Sequence, residues 1–130
     1  MTSRCYKRVC VSGFFDPFHV GHCEYLKDAH KLGDQLIVIL NNDSQRSHIR
    51  TPQEERKVIL ESIRYVDKVI ISEDKGSSVS NTLRTLQPDI FAKGLSASPE
   101  EVQVCEELDI QVVTNVGRKI HLHDILNEFR

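Results

Sequence analysis

A three-layer α/β fold with a five-stranded parallel sheet is predicted by three features of this sequence. Short β-branched runs recur at Val9–Val11, Leu36–Leu40, Val69–Ile71, Ile90–Ala92 and Ile110–Val113. Each run is continuous rather than alternating, as expected for strands buried on both faces. Helical patterns fill the intervals between them, and strand–helix alternation without internal repeats is the mark of parallel crossover units.

The helices follow in order. The first is expected over Val20–Leu32, with Cys23, Leu26 and Ala29 on one stripe and a stop at Gly33-Asp34. Thr51-Pro52-Gln53-Glu54 reads as a capping box with proline at the first helical position, opening a second helix that buries Ile59, Ile63 and Val66. Val79, Leu83 and Leu86 stand at i, i+4 and i+7 in a third. Ser98-Pro99-Glu100-Glu101 is another capping box, and its helix buries Val102, Cys105 and Leu108. A short last helix is expected to carry Ile125, Leu126 and Phe129.

With 130 residues the chain fits one domain spanning 1–130. Its 39% hydrophobic and 28% charged residues are ordinary for a globular protein, and a net charge of -2 argues against a general nucleic-acid-binding surface. No apolar run approaches the roughly 20 residues of a membrane helix, and Met1-Thr2-Ser3-Arg4 is not a signal peptide. Cys5, Cys10, Cys23 and Cys105 show no CxxC spacing and read as reduced core thiols. These features together point to a cytoplasmic protein.

Sheets of this kind bind ligands at the carboxyl ends of their strands, and the unusual residues fall there. Gly13 to His22 follows the first strand. Asn41-Asn42-Asp43 and a loop with Arg46, His48 and Arg50 follow the second. Lys93-Gly94 follows the fourth, and Asn115 to Lys119 follows the fifth. Such ends suggest an anion-binding rim. Within it, Gly21 removes a side chain where a ligand must approach the backbone. His22 stands at the start of a helix, where free amides and the dipole favour phosphate. Two imidazoles three residues apart can reach neighbouring oxygens of one triphosphate, and phosphoryl-type displacement asks mainly for alignment and charge stabilisation. Read alone, His19-x-Gly21-His22 also fits a turn with two surface histidines, and no third ligand is placed for a metal site.

Gly13-Phe14-Phe15-Asp16-Pro17-Phe18-His19-Val20-Gly21-His22 resembles the G-x-F-D-x-x-H-x-G-H signature of the cytidylyltransferase-like nucleotidyltransferases. That superfamily includes the glycerol-3-phosphate, choline-phosphate and ethanolamine-phosphate cytidylyltransferases and the heptose-phosphate adenylyltransferases. The similarity continues through Leu32–Val38, Glu55-Arg56-Lys57, Ile63–Val69 and Pro88–Phe91. It implies a Rossmann-like nucleotidyltransferase domain that passes a nucleoside monophosphate to a phosphorylated small molecule and releases pyrophosphate. It also implies magnesium carried with the triphosphate, and a homodimer. His19 and His22 are then the catalytic pair, with Gly13, Phe14, Phe15, Asp16 and Gly21 lining the nucleotide. Asp16 has a second reading, as an Asx-type turn before Pro17. Arg56 reads equally as a phosphate ligand or as a surface partner of Glu55, and Arg64 as structural or on a dimer surface.

Departures from the family pattern are informative. The loop Asp43–Thr51 lacks the usual lysine, leaving Arg46 and Arg50 as phosphate candidates. Lys93-Gly94-Leu95-Ser96 stands where relatives read G-G-D or G-D-D, and Lys93 is a phosphate candidate expected to face the same anion pocket as His22. Gly117–Asp124 has no hydroxyl residue where relatives carry a serine- or threonine-rich motif, leaving Arg118 and Lys119 as the anion donors. Glu61–Asp67 is nearest the glycerol-phosphate branch, which favours CTP and transfer of CMP, with ATP as the other donor. Two alternatives stay open: an adenylyltransferase of sugar-phosphate or flavin type, and a non-catalytic nucleotide-binding module.

Overall fold

The computed structural model describes residues 6–117. The strands are β1 (Arg8–Gly13), β2 (Gln35–Leu40), β3 (Lys68–Ile71), β4 (Ile90–Ala92) and β5 (Gln111–Val113). They alternate with α1 (Val20–His30), α2 (Gln53–Glu61), α3 (Ser80–Leu86) and α4 (Pro99–Glu107). All pairings are parallel and the order is β3-β2-β1-β4-β5. This is the expected Rossmann-like sheet. The expected last helix lies outside the described residues.

Side-chain alternation along the central strands divides the core in two. Val9 and Val11 of β1 and Leu36, Val38 and Leu40 of β2 pack with Tyr25, Leu26 and Ala29 of α1 and Leu60 of α2. Cys10, Ile37, Ile39 and Phe91 face the other way, against Val79, Leu83, Val104 and Cys105. Helices therefore cover both faces, as continuous apolar strands require. Burial pushes the Cys10 thiol up to about 12 and the Cys105 thiol up to about 11, which suits inert core thiols.

The helix boundaries corrected three expectations. α1 ends at His30, and its cap is Lys31 in right-handed geometry rather than a glycine. Gly33 serves a different need: a Cβ there would lie 2.7 Å from Val9 Cγ2 and 2.9 Å from the Lys7 carbonyl, so the chain passes β1 only as glycine. The Thr51–Glu54 capping box does not form. Pro52 is the N-cap and makes no side-chain bond. Instead Asp43 Oδ2 accepts the Gln53 N–H at 3.2 Å while Gln53 Oε1 accepts the Asp43 N–H at 2.8 Å, a cap supplied from the preceding loop. Ile59 is 42% exposed; the inward face of α2 is Arg56 and Leu60, with Ile63 and Val66 half-buried beyond the helix end. The Ser98–Glu101 capping box forms as expected, with Pro99 at the first helical position.

β2 and β3 lie on one side of β1 while β4 and β5 lie on the other, so successive connections diverge between β1 and β4. That divergence opens a crevice at their carboxyl ends.

Candidate functional site

Two cavities flank the turn that leaves β1. The first, about 350 Å³, lies in the β1/β4 crevice and is lined among others by Ser12, Phe15, His22, Tyr25, Lys93 and Leu95. The second, about 770 Å³, is formed by Asp16, Pro17 and the loop residues Arg46 to Arg50.

The turn owes its shape to Gly13 and Phe15. A Cβ on Gly13 would meet the Phe15 ring at 3.0 Å, so glycine lets that ring fold over the strand end. Phe15 has φ 51°, a left-handed conformation costly for a bulky residue and typical of functional turns. Its buried ring meets His22 edge-on at a centroid distance of 4.9 Å.

His19 is the N-cap of α1, and its Nδ1 accepts the Gly21 N–H at 3.0 Å. His22 Nδ1 accepts the His19 N–H at 3.2 Å. The two rings stack at 3.8 Å. With Nδ1 accepting, each neutral ring carries its proton on Nε2, so the cap leaves two Nε2–H donors side by side. The free amides expected at this helix start are largely taken: Gly21 N–H by His19 Nδ1, and His22 N–H and Cys23 N–H by the His19 carbonyl. Anion contact there passes to the imidazoles.

Burial, and secondarily the neighbouring His19, push the His22 pKa down from 6.5 to about 4. At neutral pH His22 is thus an uncharged donor. The unfolded chain binds a proton near pH 6.5 where the folded one does not, so stability falls as pH drops from 6.5 toward 4 and levels off below. Melting temperatures measured from pH 8 to 4 are expected to decline less steeply in His22→Asn than in wild type within that window. Parallel curves would assign the acid sensitivity to other groups.

Lys93 follows β4 and lines the same cavity as His22; its Nζ donates to Ser12 Oγ at 2.9 Å. Tyr25 stands one helical turn beyond His22, with its hydroxyl donating to the Ala92 carbonyl. Ser12, Tyr25 and Leu95 were not singled out from sequence. Tyr25 was detectable as the i+3 neighbour of His22, and Ser12 as the one polar residue ending an apolar strand.

Several expectations need correction. Asp16 makes no Asx-type turn. Its carboxylate accepts the N–H groups of Arg50 (2.7 Å) and Thr51 (3.0 Å) and pairs with Arg46 Nη2 at 3.2 Å. Burial opposes that charge, yet those amides and then Arg56 and Arg46 hold the carboxyl below its usual range. Asp16 therefore shapes the loop after β2. Phe14 lines neither cavity: its ring lies under the Arg46 guanidinium at 4.2 Å, and its carbonyl turns inward to Arg56. Arg56 is neither a surface partner of Glu55 nor free for phosphate. It is 1% exposed and donates to the carbonyls of Thr51 (2.8 Å), Phe14 (2.7 Å) and Asn41 (3.0 Å) and to Asp43 Oδ1 (2.6 Å). Arg46 is half committed to Asp16 and the His48 carbonyl, whereas the exposed Arg50 lines the second cavity. Arg64 donates to the Tyr65 hydroxyl. Arg118 and Lys119 lie outside the described residues.

Among the described residues, no helix is long and apolar enough to cross a membrane, and no three His, Cys, Asp or Glu side chains form a metal-binding group.

Residues 10–123 match the profile of the cytidylyltransferase-like family. The FAD synthase of Pyrococcus abyssi is 37% identical over 120 residues, which cover 88% of this chain and 77% of that protein. The FAD synthase of Thermococcus kodakarensis is 39% identical over 106 residues, covering 78% and 68%. The bifunctional protein HldE of Cronobacter sakazakii is 33% identical over 88% of this chain but only 28% of its own length. In structure, a lipopolysaccharide core biosynthesis protein from Thermoplasma volcanium superposes with a TM-score of 0.74 at 24% identity, covering 87% of this chain and 98% of that one, and has the same fold. With the profile spanning most of its length, this chain belongs to the cytidylyltransferase-like family of nucleotidyltransferases.

Proposed function

We propose that this protein is an adenylyltransferase that moves AMP from ATP to the phosphate of a phosphorylated acceptor, with flavin mononucleotide as the acceptor. An acceptor phosphate oxygen attacks the α-phosphorus, the bond to the bridging oxygen of the β-phosphate breaks, and pyrophosphate leaves. The divalent cation arrives with the triphosphate as part of the substrate. The observation that carries this reading is the stacked His19–His22 pair. Capping fixes both rings through Nδ1 and leaves both Nε2–H donors for the charge that grows on the transferred phosphoryl group. The anionic acceptor needs no carboxylate base. Lys93 adds a cation in the β1/β4 crevice, and Arg50 supplies one to the second cavity on the far side of the turn.

ATP is preferred over CTP here on two grounds. FAD synthases are among the relatives that match most of this chain. The segment that favoured CMP, Glu61–Asp67, runs from the end of α2 to the start of β3, where Asp67 Oδ2 accepts the Leu36 N–H at 2.8 Å. That is the amino edge of the sheet, opposite the cavity, so the segment gives no support to a choice of base.

The test is a calorimetric panel of ATP, CTP, GTP and UTP with magnesium, followed by chromatography of reactions containing flavin mononucleotide. Selective ATP binding and appearance of FAD with pyrophosphate are expected. Selective CTP binding would replace this reading with cytidylyl transfer, and ATP binding without FAD would reassign the acceptor.

A further inference from the structure

Glu101 sits in the first turn of α4, only 3% exposed. Its Oε1 accepts the Ser98 N–H at 3.0 Å, which completes the capping box. The box leaves two other contacts unexplained. Oε2 accepts the Val79 N–H at the start of α3, 2.9 Å away, and Oε1 lies 4.0 Å from Lys93 Nζ. Lys93 in turn reaches across to Ser12 Oγ at the end of β1. One buried carboxylate therefore joins two helix starts to the cation of the β1/β4 cavity.

Among the described residues, the groups around Lys93 leave Glu101 as its counter-charge. β1 contributes the Ser12 hydroxyl, β4 the Phe91 ring at 5.4 Å, and β5 the Val113 carbonyl, which accepts the Lys93 N–H. From α1, across the cavity, come His22, which is neutral, and Tyr25, whose burial raises its pKa and keeps it un-ionised. Burial lowers the Lys93 pKa, and the Glu101 carboxylate opposes that loss.

We propose that Glu101 is a positioning residue for nucleotide binding: its carboxylate holds Lys93 charged and aimed over the end of β1, where the triphosphate enters. This rests on the reading that the cavity receives the nucleotide's phosphates. Glu101 touches no substrate itself and acts through Lys93.

The full chain labelled with ¹³Cε-lysine, with Lys93 assigned from Lys93→Arg, reports the ammonium directly as pH is raised. Glu101→Gln is expected to lower the Lys93 midpoint by about one pH unit or more. Above that midpoint MgATP affinity should fall by up to about tenfold per pH unit, the most that one titrating group imposes. Wild type should begin the same loss only at higher pH, and the two proteins should converge below the Glu101→Gln midpoint. Ser98→Ala removes the other half of the capping box but keeps the carboxylate, so it should leave the Lys93 midpoint unchanged. If Glu101→Gln fails to fold, Glu101→Asp, whose shorter side chain withdraws the carboxylate from Lys93 Nζ, provides the second measurement: the Lys93 midpoint should move in the same direction. An unmoved partner in either variant, or a Ser98→Ala effect equal to that of Glu101→Gln, overturns the proposal. Wild-type protein that binds no MgATP while Lys93 still follows Glu101 overturns the adenylyl reading and with it the ligand named here.

Discussion

Replacing His19 or His22 by Asn is expected to lower turnover by roughly 10²–10³, the scale of losing one transition-state donor, with little change in melting temperature. The choice of Asn matters. Each histidine uses Nδ1 to accept a backbone N–H at the start of α1, and an Asn side-chain oxygen can take that bond, being among the best N-cap acceptors. What Asn cannot supply is the Nε2–H pointing away from the cap. His19→Ala removes both features at once and adds about 1 kcal/mol of lost capping to any catalytic effect. Turnover and melting temperature read on the two Asn variants therefore separate roles that the alanine variants merge. Full turnover in both Asn variants would reduce the pair to helix caps.

Arg56→Ala is expected to destabilise the fold by roughly 3–5 kcal/mol in urea titrations, the sum of several unsatisfied groups and a cavity. Its partner Asp43 is 41% exposed and can rehydrate. The carbonyls of Phe14, Asn41 and Thr51 carry most of the cost, because the guanidinium reaches all three from inside the turn. Arg56→Lys should recover only part of the loss, since one ammonium cannot reproduce a planar fork. A phosphate-binding Arg56 would behave differently, weakening MgATP binding at unchanged stability. A loss below about 1 kcal/mol would show that the loops after β1 and β2 hold together without it.

Arg56 also marks the limit of sequence reasoning here. In a pattern of apolar positions it falls at i-4 from Leu60, on the inward face of α2, yet an arginine there reads as surface or ligand-binding. Nothing local announces three carbonyls converging from two other loops. Asp16 is a similar case. Its partners are amides 34 and 35 residues further along, so local turn chemistry was the available reading and the structure replaced it. The second capping box formed with the Ser98 N–H given to Glu101 and the Glu101 N–H to Ser98, all within four residues. The first did not, because Asp16 and Arg56 had already taken the N–H and carbonyl of Thr51.

The amino-acid sequence by itself determined the strand positions, the parallel three-layer architecture and the family, since these rest on period, continuity and a ten-residue signature that survive any detail of packing. It also brought His19 and His22 together, because three residues at a helix start are neighbours by construction. Only the tertiary structure decided what the remaining polar residues do. Asp16 and Arg56 became internal supports, and Glu101 took Lys93 as its counter-ion. Each of those roles depends on which strand ends lie side by side. The order β3-β2-β1-β4-β5 sets that adjacency, and the hydrogen-bond partners it creates stand up to 81 residues apart.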